Sequence, residues 1–252
     1  MPTKLVHNFG VRSIQIINHF LGLYGIYYCV VNQEYDWLLI SLLTFWFIGT
    51  LGINVAFHRL LAHRSYQTHK IYEWIFSLIG AVCTLGSPLA WVAIHRQHHR
   101  YAEKDKDVHS PYILGNWKAW FGFWNYPLIS PRIIADLRKD SFQKFIHKYY
   151  IPFLVAYCAV LYMINPLYII FVYAIPACLT LHAASAIIVI AHRHGYKPYE
   201  INDESRNSWI ASLITLGEGW HNTHHAKPNQ WRQGERWWEF DIPAVIISVI
   251  KK

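Results

Sequence analysis

Charged side chains are scarce in this sequence. Asp, Glu, Lys and Arg make up 15% of the 252 residues, whereas hydrophobic residues make up 54%. An ordinary soluble domain carries about 25% charged residues. The apolar residues are also gathered into runs instead of being spread along amphipathic stripes. This composition excludes an ordinary soluble domain and predicts an integral membrane protein.

Cysteine is also rare, and no C-x-x-C motif is present. Cys29, Cys83, Cys158 and Cys178 all lie inside apolar segments. Reactive cysteines usually occupy partly exposed, electropositive sites, so buried and reduced thiols are expected here. A thiol-based mechanism is therefore not indicated.

Four apolar runs are long enough, or nearly long enough, to cross about 30 Å of hydrocarbon. They cover residues 13–31, 37–57, 150–164 and 167–191. Each run is predicted to form one transmembrane helix.

A fifth apolar run covers residues 71–94 and is interrupted by Gly80, Gly86, Ser87 and Pro88. A single crossing by this run would place the histidine motifs before and after it on opposite sides of the membrane. We therefore predict an interfacial or re-entrant segment.

Basic residues are absent from the segments predicted to lie outside. With four spans and both termini on one side, the outer loops are residues 32–36 and the turn near Asn165, which contain no Lys or Arg. All 23 basic residues then lie on the inner, cytoplasmic side, as the positive-inside rule expects. The prediction is a single all-α membrane-embedded domain, residues 1–252, with four transmembrane helices, interfacial helices and an inner-side cap formed by residues 100–148 and 193–252.

Histidine is abundant, and three short motifs contain eight of the 16 histidines. The motifs are HRLLAH with His58 and His63, HRQHH with His95, His98 and His99, and HNTHH with His221, His224 and His225. On a helix, positions i, i+3 and i+4 fall within about 100° of arc, so the imidazoles of an H-x-x-H-H motif share one face. The repeated spacing at the water-facing ends of apolar segments predicts one metal centre built from distant parts of the chain.

The number of clustered imidazoles indicates two metal ions, because one ion takes about four to six ligands. His192, at the inner end of the fourth run, is a ninth candidate ligand. His58 and His63 would lie about 140° apart on an ideal helix, so the helix is expected to end between them. Zinc would form a structural or hydrolytic site, whereas a pair of irons would suit O2 activation, and ligand number alone does not distinguish them.

The remaining histidines are interpreted more simply. His109 and His194 are predicted to be neighbours of the ligands, not ligands themselves. A metal transporter would need ionisable ligands near the middle of the bilayer, and His182 is the one polar candidate there, with no evident partner. Isolated polar anchors are expected at His7, His19, His69, His147 and His182.

Longer segments around these motifs resemble the membrane-bound fatty acid desaturases, in particular the Δ9 branch that includes stearoyl-CoA and cyanobacterial acyl-lipid desaturases. The matching segments are FHRLLAHRSY (57–66), HRQHHRYAEKDKDVHSP (95–111), HRHGYKPYE (192–200), GEGWHNTHH (217–225) and WWEFD (237–241). The resemblance extends from about residue 45 to the C-terminus.

The resemblance implies four spans, a cytosolic cap and two non-haem irons, with no catalytic residue separate from the metal centre. The implied reaction uses O2 and two electrons to remove two hydrogens from a saturated acyl chain, and it leaves a cis double bond at Δ9. Asp107, His109 and Glu218 are expected to support the ligands from outside. The implied iron ligands are His58, His63, His95, His98, His99, His192, His221, His224 and His225.

The sequence departs from the family pattern at several positions. Ile188 stands four residues before His192, where the family has an Asn that holds a metal-bound water. The second iron therefore needs another partner for that water or is bound differently. Val108 replaces a Pro that is usual before His109. The uncharged residues 91–94, before the second motif, resemble the acyl-lipid branch more than the acyl-CoA branch.

The sequence contains neither the H-P-G-G of a fused cytochrome b5 domain nor a G-x-G-x-x-G motif. Electrons are therefore expected from a separate acidic protein, such as ferredoxin or cytochrome b5, attracted by the net charge of +8. The same charges would equally satisfy the topology and bind anionic headgroups. The expected substrate is an acyl-lipid or acyl-CoA, and no nucleic-acid partner is expected. A hydroxylase of the same superfamily would use the same ligands and stays an alternative.

Overall fold

The computed structural model describes residues 8–122 and 129–252. Residues 1–7, with His7, and residues 123–128, within the predicted cap, lie outside the described parts. In the described ranges the chain forms helices, turns and three isolated β-bridges, without an extended strand. The predicted mostly helical class is therefore confirmed for these residues.

The described residues form twelve α-helices, two π-helical segments and two short 3-10 helices. The 3-10 helices are Pro131–Ile134 and Leu137–Lys139. The α-helices are α1 Asn8–Asn32, α2 Asp36–Ile48, α3 Lys70–Val82, α4 Pro88–Tyr101, α5 Pro111–Leu114, α6 Asn116–Trp120, α7 Ser141–Lys148, α8 Tyr150–Ile164, α9 Ile175–Val189, α10 Trp209–Thr215, α11 His221–Ala226 and α12 Ile242–Ile250. The π-helical segments are π1, Gly49–Ala62, which continues α2, and π2, Ile169–Ala174, which precedes α9.

Three helices are long and apolar enough to cross a membrane, namely Gly10–Asn32, Asp36–Ala62 and Ile169–Val189. A fourth span is reached if α7 and α8, which are bent by 73° at their junction, are counted together. These helices coincide with the four predicted runs. The number of crossings stays a prediction, because length and composition alone define these helices as candidates.

The fifth apolar run is broken into α3 and α4, each too short to cross. α3 has 13 residues and α4 has 14, which correspond to only about 20 Å of helix against about 30 Å of hydrocarbon. Between them the backbone of Thr84 and Gly86 has positive φ values of 59° and 107°. Ser87 then caps α4 by accepting a hydrogen bond from the Ala90 N–H, and Pro88 occupies the first turn. The interruption therefore lies where the Gly, Ser and Pro residues predicted it.

The π-helical segment π1 brings the two histidines of HRLLAH together. The helix ends at Ala62, between His58 and His63 as predicted, but it does not leave the two rings far apart. The His63 N–H donates to the His58 carbonyl at 3.1 Å, an i to i+5 bond that makes the two residues successive on one face. Their ring centroids are 4.9 Å apart. The ideal α-helical angle was the wrong basis for judging this pair.

π1 and α3 approach so closely that their backbones touch. A Cβ placed on Gly52 would lie 2.4 Å from the Gly80 Cα and 2.8 Å from the Ile79 carbonyl carbon. Phe57 and Leu61 of π1, both fully buried, pack into the same core as Val92 of α4. This contact fixes π1, and with it the first histidine motif, against α3 and α4.

We expect Gly52→Ala to destabilise the protein by about 1–3 kcal/mol, because the added methyl group has to displace backbone atoms. The measurement is the thermal unfolding midpoint of the purified protein in detergent micelles. Gly22→Ala is the matched control, since Gly22 lies in a helix and its Cβ would make only an ordinary 3.6 Å contact with Ile175. Equal midpoints for the two variants would contradict the close contact.

Candidate metal centre

Four separate elements bring the nine candidate histidines to one place. HRLLAH lies at the end of π1, HRQHH lies in the last turns of α4, and HNTHH forms most of α11. His192 follows α9 by three residues. Because π1 and α9 belong to candidate membrane helices, the apolar spans hold two of the four elements in position.

The nine histidines form two groups, and within each group the ligand nitrogens all lie within 4.8 Å of one another. Each H-x-x-H-H motif contributes to both groups: in α4 the first and last histidines join one group and the middle one joins the other, and in α11 the assignment is reversed. The five-histidine group contains His58, His63, His95, His99 and His224. The four-histidine group contains His98, His192, His221 and His225.

The Nε2 atoms of these rings converge. In the five-histidine group, the Nε2 atom of His224 lies 3.0 Å from that of His58 and 2.9 Å from that of His99. The Nε2 atoms of His63 and His95 are 2.7 Å apart. In the four-histidine group, the Nε2 atoms of His192 and His221 are 3.1 Å apart.

Carboxylates hold several of the rings from the opposite side. A carboxylate that accepts from Nδ1–H leaves the Nε2 lone pair free to bind a metal, which is the usual arrangement around histidine ligands. The four pairs are His58 with Glu218 at 2.5 Å, His98 with Asp107 at 3.0 Å, His192 with Glu103 at 2.9 Å, and His225 with Asp203 at 2.8 Å.

Two of these carboxylates, Asp107 and Glu218, are among the supporting residues expected from the sequence. His109, the third, lies beside His98 with ring centroids 4.4 Å apart, and its backbone N–H donates to Asp107 at 3.2 Å. Glu103 and Asp203 were missed. Glu103 lies close to the second motif and could have been found there, whereas Asp203 is 22 residues from His225 and no spacing indicates it.

A buried arginine anchors the carboxylate at His58. Arg59 is 1% exposed, and its guanidinium donates to Glu218 at 2.6 Å and pairs with Asp241 at 2.8 Å. It also donates to the Trp231 carbonyl at 2.7 Å. Arg59 therefore ties the C-terminal segment to π1 and holds Glu218 by Oε1, while the other oxygen, Oε2, contacts His58.

Burial keeps seven of the nine candidate ligands neutral. Burial and repulsion from neighbouring rings lower the pKa of His63 to about 2, of His192 to about 3 and of His225 to about 4. By the same causes the pKa values lie well below the usual value for His95, His99, His109, His221 and His224. Neutral rings offer lone pairs at physiological pH, which is the form that binds metal.

The supporting carboxylates respond to opposing influences. Burial alone would raise the pKa of Glu218, but Arg59 and His58 lower it to about 2. The pKa values of Asp107 and Asp203 are also lowered, because their interactions with His98 and His225 outweigh burial. Burial raises the pKa of Glu103 to about 7, and a cation held by His192 would favour its ionised form. Neutral nitrogen donors backed by buried carboxylates therefore fit metal cations.

An apolar cavity of about 530 Å³ leads to both groups. Its wall includes His58 and His95 of the five-histidine group and His98, His192 and His221 of the four-histidine group. Its wall also includes three side chains of α1 that are exposed on the surface, namely Ile16, Phe20 and Leu23. The size is within the range of ligand sites, about 300–1,000 Å³.

The interpretation of His19 and His182 as isolated polar residues was wrong. The Trp120 Nε1–H donates to His182 Nδ1 at 3.1 Å. The single N–H proton of a neutral His182 ring is therefore on Nε2, which lies 3.2 Å from His19 Nε2. His19 Nδ1 in turn lies 2.6 Å from the Gln15 carbonyl. His182 therefore has two polar partners, Trp120 and His19, where the sequence suggested none.

The fold and site together define a class: a helical protein with three or four apolar helices of membrane-spanning length and a buried, histidine-rich candidate metal centre beside an apolar cavity. The family model described as fatty acid desaturase matches residues 35–241. This chain belongs to the fatty acid desaturase family and is an enzyme of the oxidoreductase class. The family resemblance inferred from the motifs is confirmed.

Several curated relatives cover most of the chain. The sn-1 stearoyl-lipid 9-desaturase of Anabaena variabilis is 32% identical over 240 residues, which is 92% of this chain and 88% of the relative. Delta-9 acyl-lipid desaturase 1 of Arabidopsis thaliana is 30% identical over 95% of this chain and 81% of its own length. The icosanoyl-CoA 5-desaturase of Limnanthes douglasii is 33% identical over 81% of this chain and 59% of its own length.

We expect Arg59→Met to destabilise the protein by about 3–5 kcal/mol, because Glu218 and Asp241 would stay buried without their cation. The thermal unfolding midpoint and the metal content per chain should both fall. Arg64→Met is the matched control, because Arg64 pairs with Asp136 at the surface, where such pairs contribute about 0–1 kcal/mol. A similar loss in both variants would contradict the role given to Arg59.

Proposed function

We propose that this enzyme is an O2-dependent desaturase that introduces a cis double bond at Δ9 of a saturated fatty acyl chain. It would take two electrons from an external donor and bind two non-haem irons. The observation that carries the proposal is the apolar cavity that reaches both histidine groups. A long alkyl chain fits such a wall, and its methylene groups would come to lie next to the candidate ligands.

Nine histidines would hold the two irons, one ion in the five-histidine group and one in the four-histidine group. Bound iron would supply redox chemistry that zinc lacks: two external electrons, two protons and the two hydrogens removed from the acyl chain would together reduce one O2 to two waters. This balance requires no other catalytic side chain. The protein contributes the position of the ligands and of the substrate.

Positioning is the task of the surrounding residues. Glu218, Asp107, Glu103 and Asp203 fix the rings of their partner histidines, so that the Nε2 atoms keep their directions. The cavity wall would hold the acyl chain in one register and keep water from the reacting carbons. Most of the histidines that line it are buried, which is consistent with a dry site.

The position of the double bond and the carrier are inferred from the relatives. The Anabaena and Arabidopsis proteins are named as 9-desaturases of lipids, whereas the Limnanthes protein is named as a 5-desaturase of an acyl-CoA. The uncharged residues 91–94 before the second histidine motif favour the lipid carrier. We therefore propose Δ9 chemistry on an acyl-lipid, with acyl-CoA as the other carrier.

The proposed topology places both termini and the metal centre on the cytoplasmic side of four spans. The positive-inside pattern supports this orientation, since the loops at residues 32–36 and near Asn165 carry no Lys or Arg. All 23 basic residues would then face the cytoplasm, where an acidic ferredoxin or cytochrome b5 would deliver the electrons.

Expression in cells that supply electrons is the direct test of the proposed function. The wild-type protein should give monounsaturated chains with one double-bond position, and His98→Ala should give none, because the four-histidine group loses a ligand. His194→Ala is the matched control, since His194 is exposed and belongs to neither group. The measurement is the fatty acid profile. A hydroxylated acid in place of the alkene would establish the hydroxylase alternative and contradict the proposal.

We expect the rate of reduction by an acidic donor to fall as ionic strength rises, because salt screens the attraction between opposite charges. The measurement is stopped-flow reduction of the iron-loaded enzyme by ferredoxin or cytochrome b5 in membranes. A rate that does not depend on salt would show that the basic residues serve only topology and lipid headgroups.

A further inference from the structure

The carboxylates that support the histidines are distributed unequally between the two groups. The five-histidine group has one, Glu218 at His58. In the four-histidine group, three of the four rings each have their own: Asp107 at His98, Glu103 at His192 and Asp203 at His225. Residues 1–7 and 123–128 contain no Asp or Glu, so they cannot alter this count.

The two sets of carboxylates also differ in how their charge is neutralised. Glu218 shares the guanidinium of Arg59, which lies 2.6 Å away. Within the described residues, by contrast, no Lys or Arg side chain forms an ion pair with the carboxylates of the four-histidine group. Asp107 accepts from the backbone N–H of Glu103 at 2.7 Å, and Asp203 accepts from the Ser205 N–H at 2.9 Å and hydroxyl at 2.5 Å. Glu103 accepts from the Glu204 N–H at 2.8 Å.

Burial separates the groups in the same direction. His98, His192 and His221 of the four-histidine group are 3%, 1% and 5% exposed. His225, the fourth member, is partly buried, whereas in the five-histidine group three members, His63, His95 and His99, are partly buried. The five-histidine group therefore contains the larger share of partly exposed rings.

We propose that the four-histidine group binds its metal ion more tightly than the five-histidine group does, and that Glu103 and Asp203 are positioning residues that cause this difference together with Asp107. This inference rests on the two-iron function proposed above. A carboxylate behind an imidazole fixes the ring and makes Nε2 a stronger donor, and it adds negative charge close to the cation. The five-histidine group has one imidazole more than the four-histidine group. An imidazole ligand carries no charge, so it adds a ligand without adding negative charge near the cation.

The test is the anaerobic release of ferrous iron from the purified, fully loaded protein to a coloured ferrous chelator. The wild-type protein should release one iron rapidly and the other slowly. His63→Ala should remove the rapid phase, and His221→Ala should remove the slow phase, which assigns each phase to its group. Release of both irons at one rate, or the opposite assignment, would overturn the proposal.

Charge-removing variants then test the carboxylates themselves. Asp203→Asn and Glu103→Gln keep an oxygen that can accept from Nδ1–H, and they should speed the slow phase about 10–100-fold without changing the rapid phase. Glu204→Gln is the matched control: it is the neighbour of Asp203, and its carboxylate pairs with Lys197 and Arg206 instead of an imidazole. An unchanged slow phase in Asp203→Asn, or an equal effect of Glu204→Gln, would refute the role of these residues.

The outcomes separate this inference from the proposed function. The wild-type protein could desaturate acyl chains and hold two irons, but release both at the same rate. This result would contradict only the difference in affinity between the two groups. Active protein that holds no iron would contradict the proposed function itself. A general loss of folding in Asp203→Asn would lower the unfolding midpoint and speed both phases, and it would thereby contradict a specific effect on the four-histidine group.

Discussion

The structure depends on holding nine imidazoles close together, with their ring nitrogens converging in a largely buried space. Nε2 atoms 2.7–3.1 Å apart, as in the pairs His63–His95 and His192–His221, need a proton or a metal cation between them. Burial opposes protonation, as the lowered pKa values show. Rigid elements are therefore required to keep the rings in place, and the apolar helices supply them: π1 is packed backbone to backbone against α3, and His192 follows α9 directly.

The same burial connects the metal centre to the proposed chemistry. The cavity that reaches both groups is apolar along most of its wall, so the surroundings that keep the rings neutral also suit an alkyl chain and exclude water. His19, in that wall, has polar partners in the ring of His182 and the Gln15 carbonyl. Glu218 supports His58 from its Nδ1 side and is itself held by Arg59, and it also contributes to the cavity wall.

Much of this organisation was accessible from the sequence because it follows from local patterns. The apolar runs predicted the long helices, and Gly86, Ser87 and Pro88 predicted the break between α3 and α4. The H-x-x-H-H spacing identified the clustered histidines, and the family resemblance led to Asp107 and Glu218. Long-range pairs were not accessible: Asp203 with His225, Arg59 with Asp241, and His19 with His182 join residues whose separation carries no period.

The sequence by itself determined that the protein has long apolar helices, that histidines converge at their ends and that the chain belongs to the desaturase family. Hydrophobic length and helical period are properties of neighbouring residues, and they need no knowledge of the fold. Only the tertiary structure decided that each H-x-x-H-H motif divides between two groups, and which carboxylate supports which ring. Those relations depend on how π1, α4, α9 and α11 pack against one another, because a side chain's partners across a helix interface are set by packing and not by sequence distance.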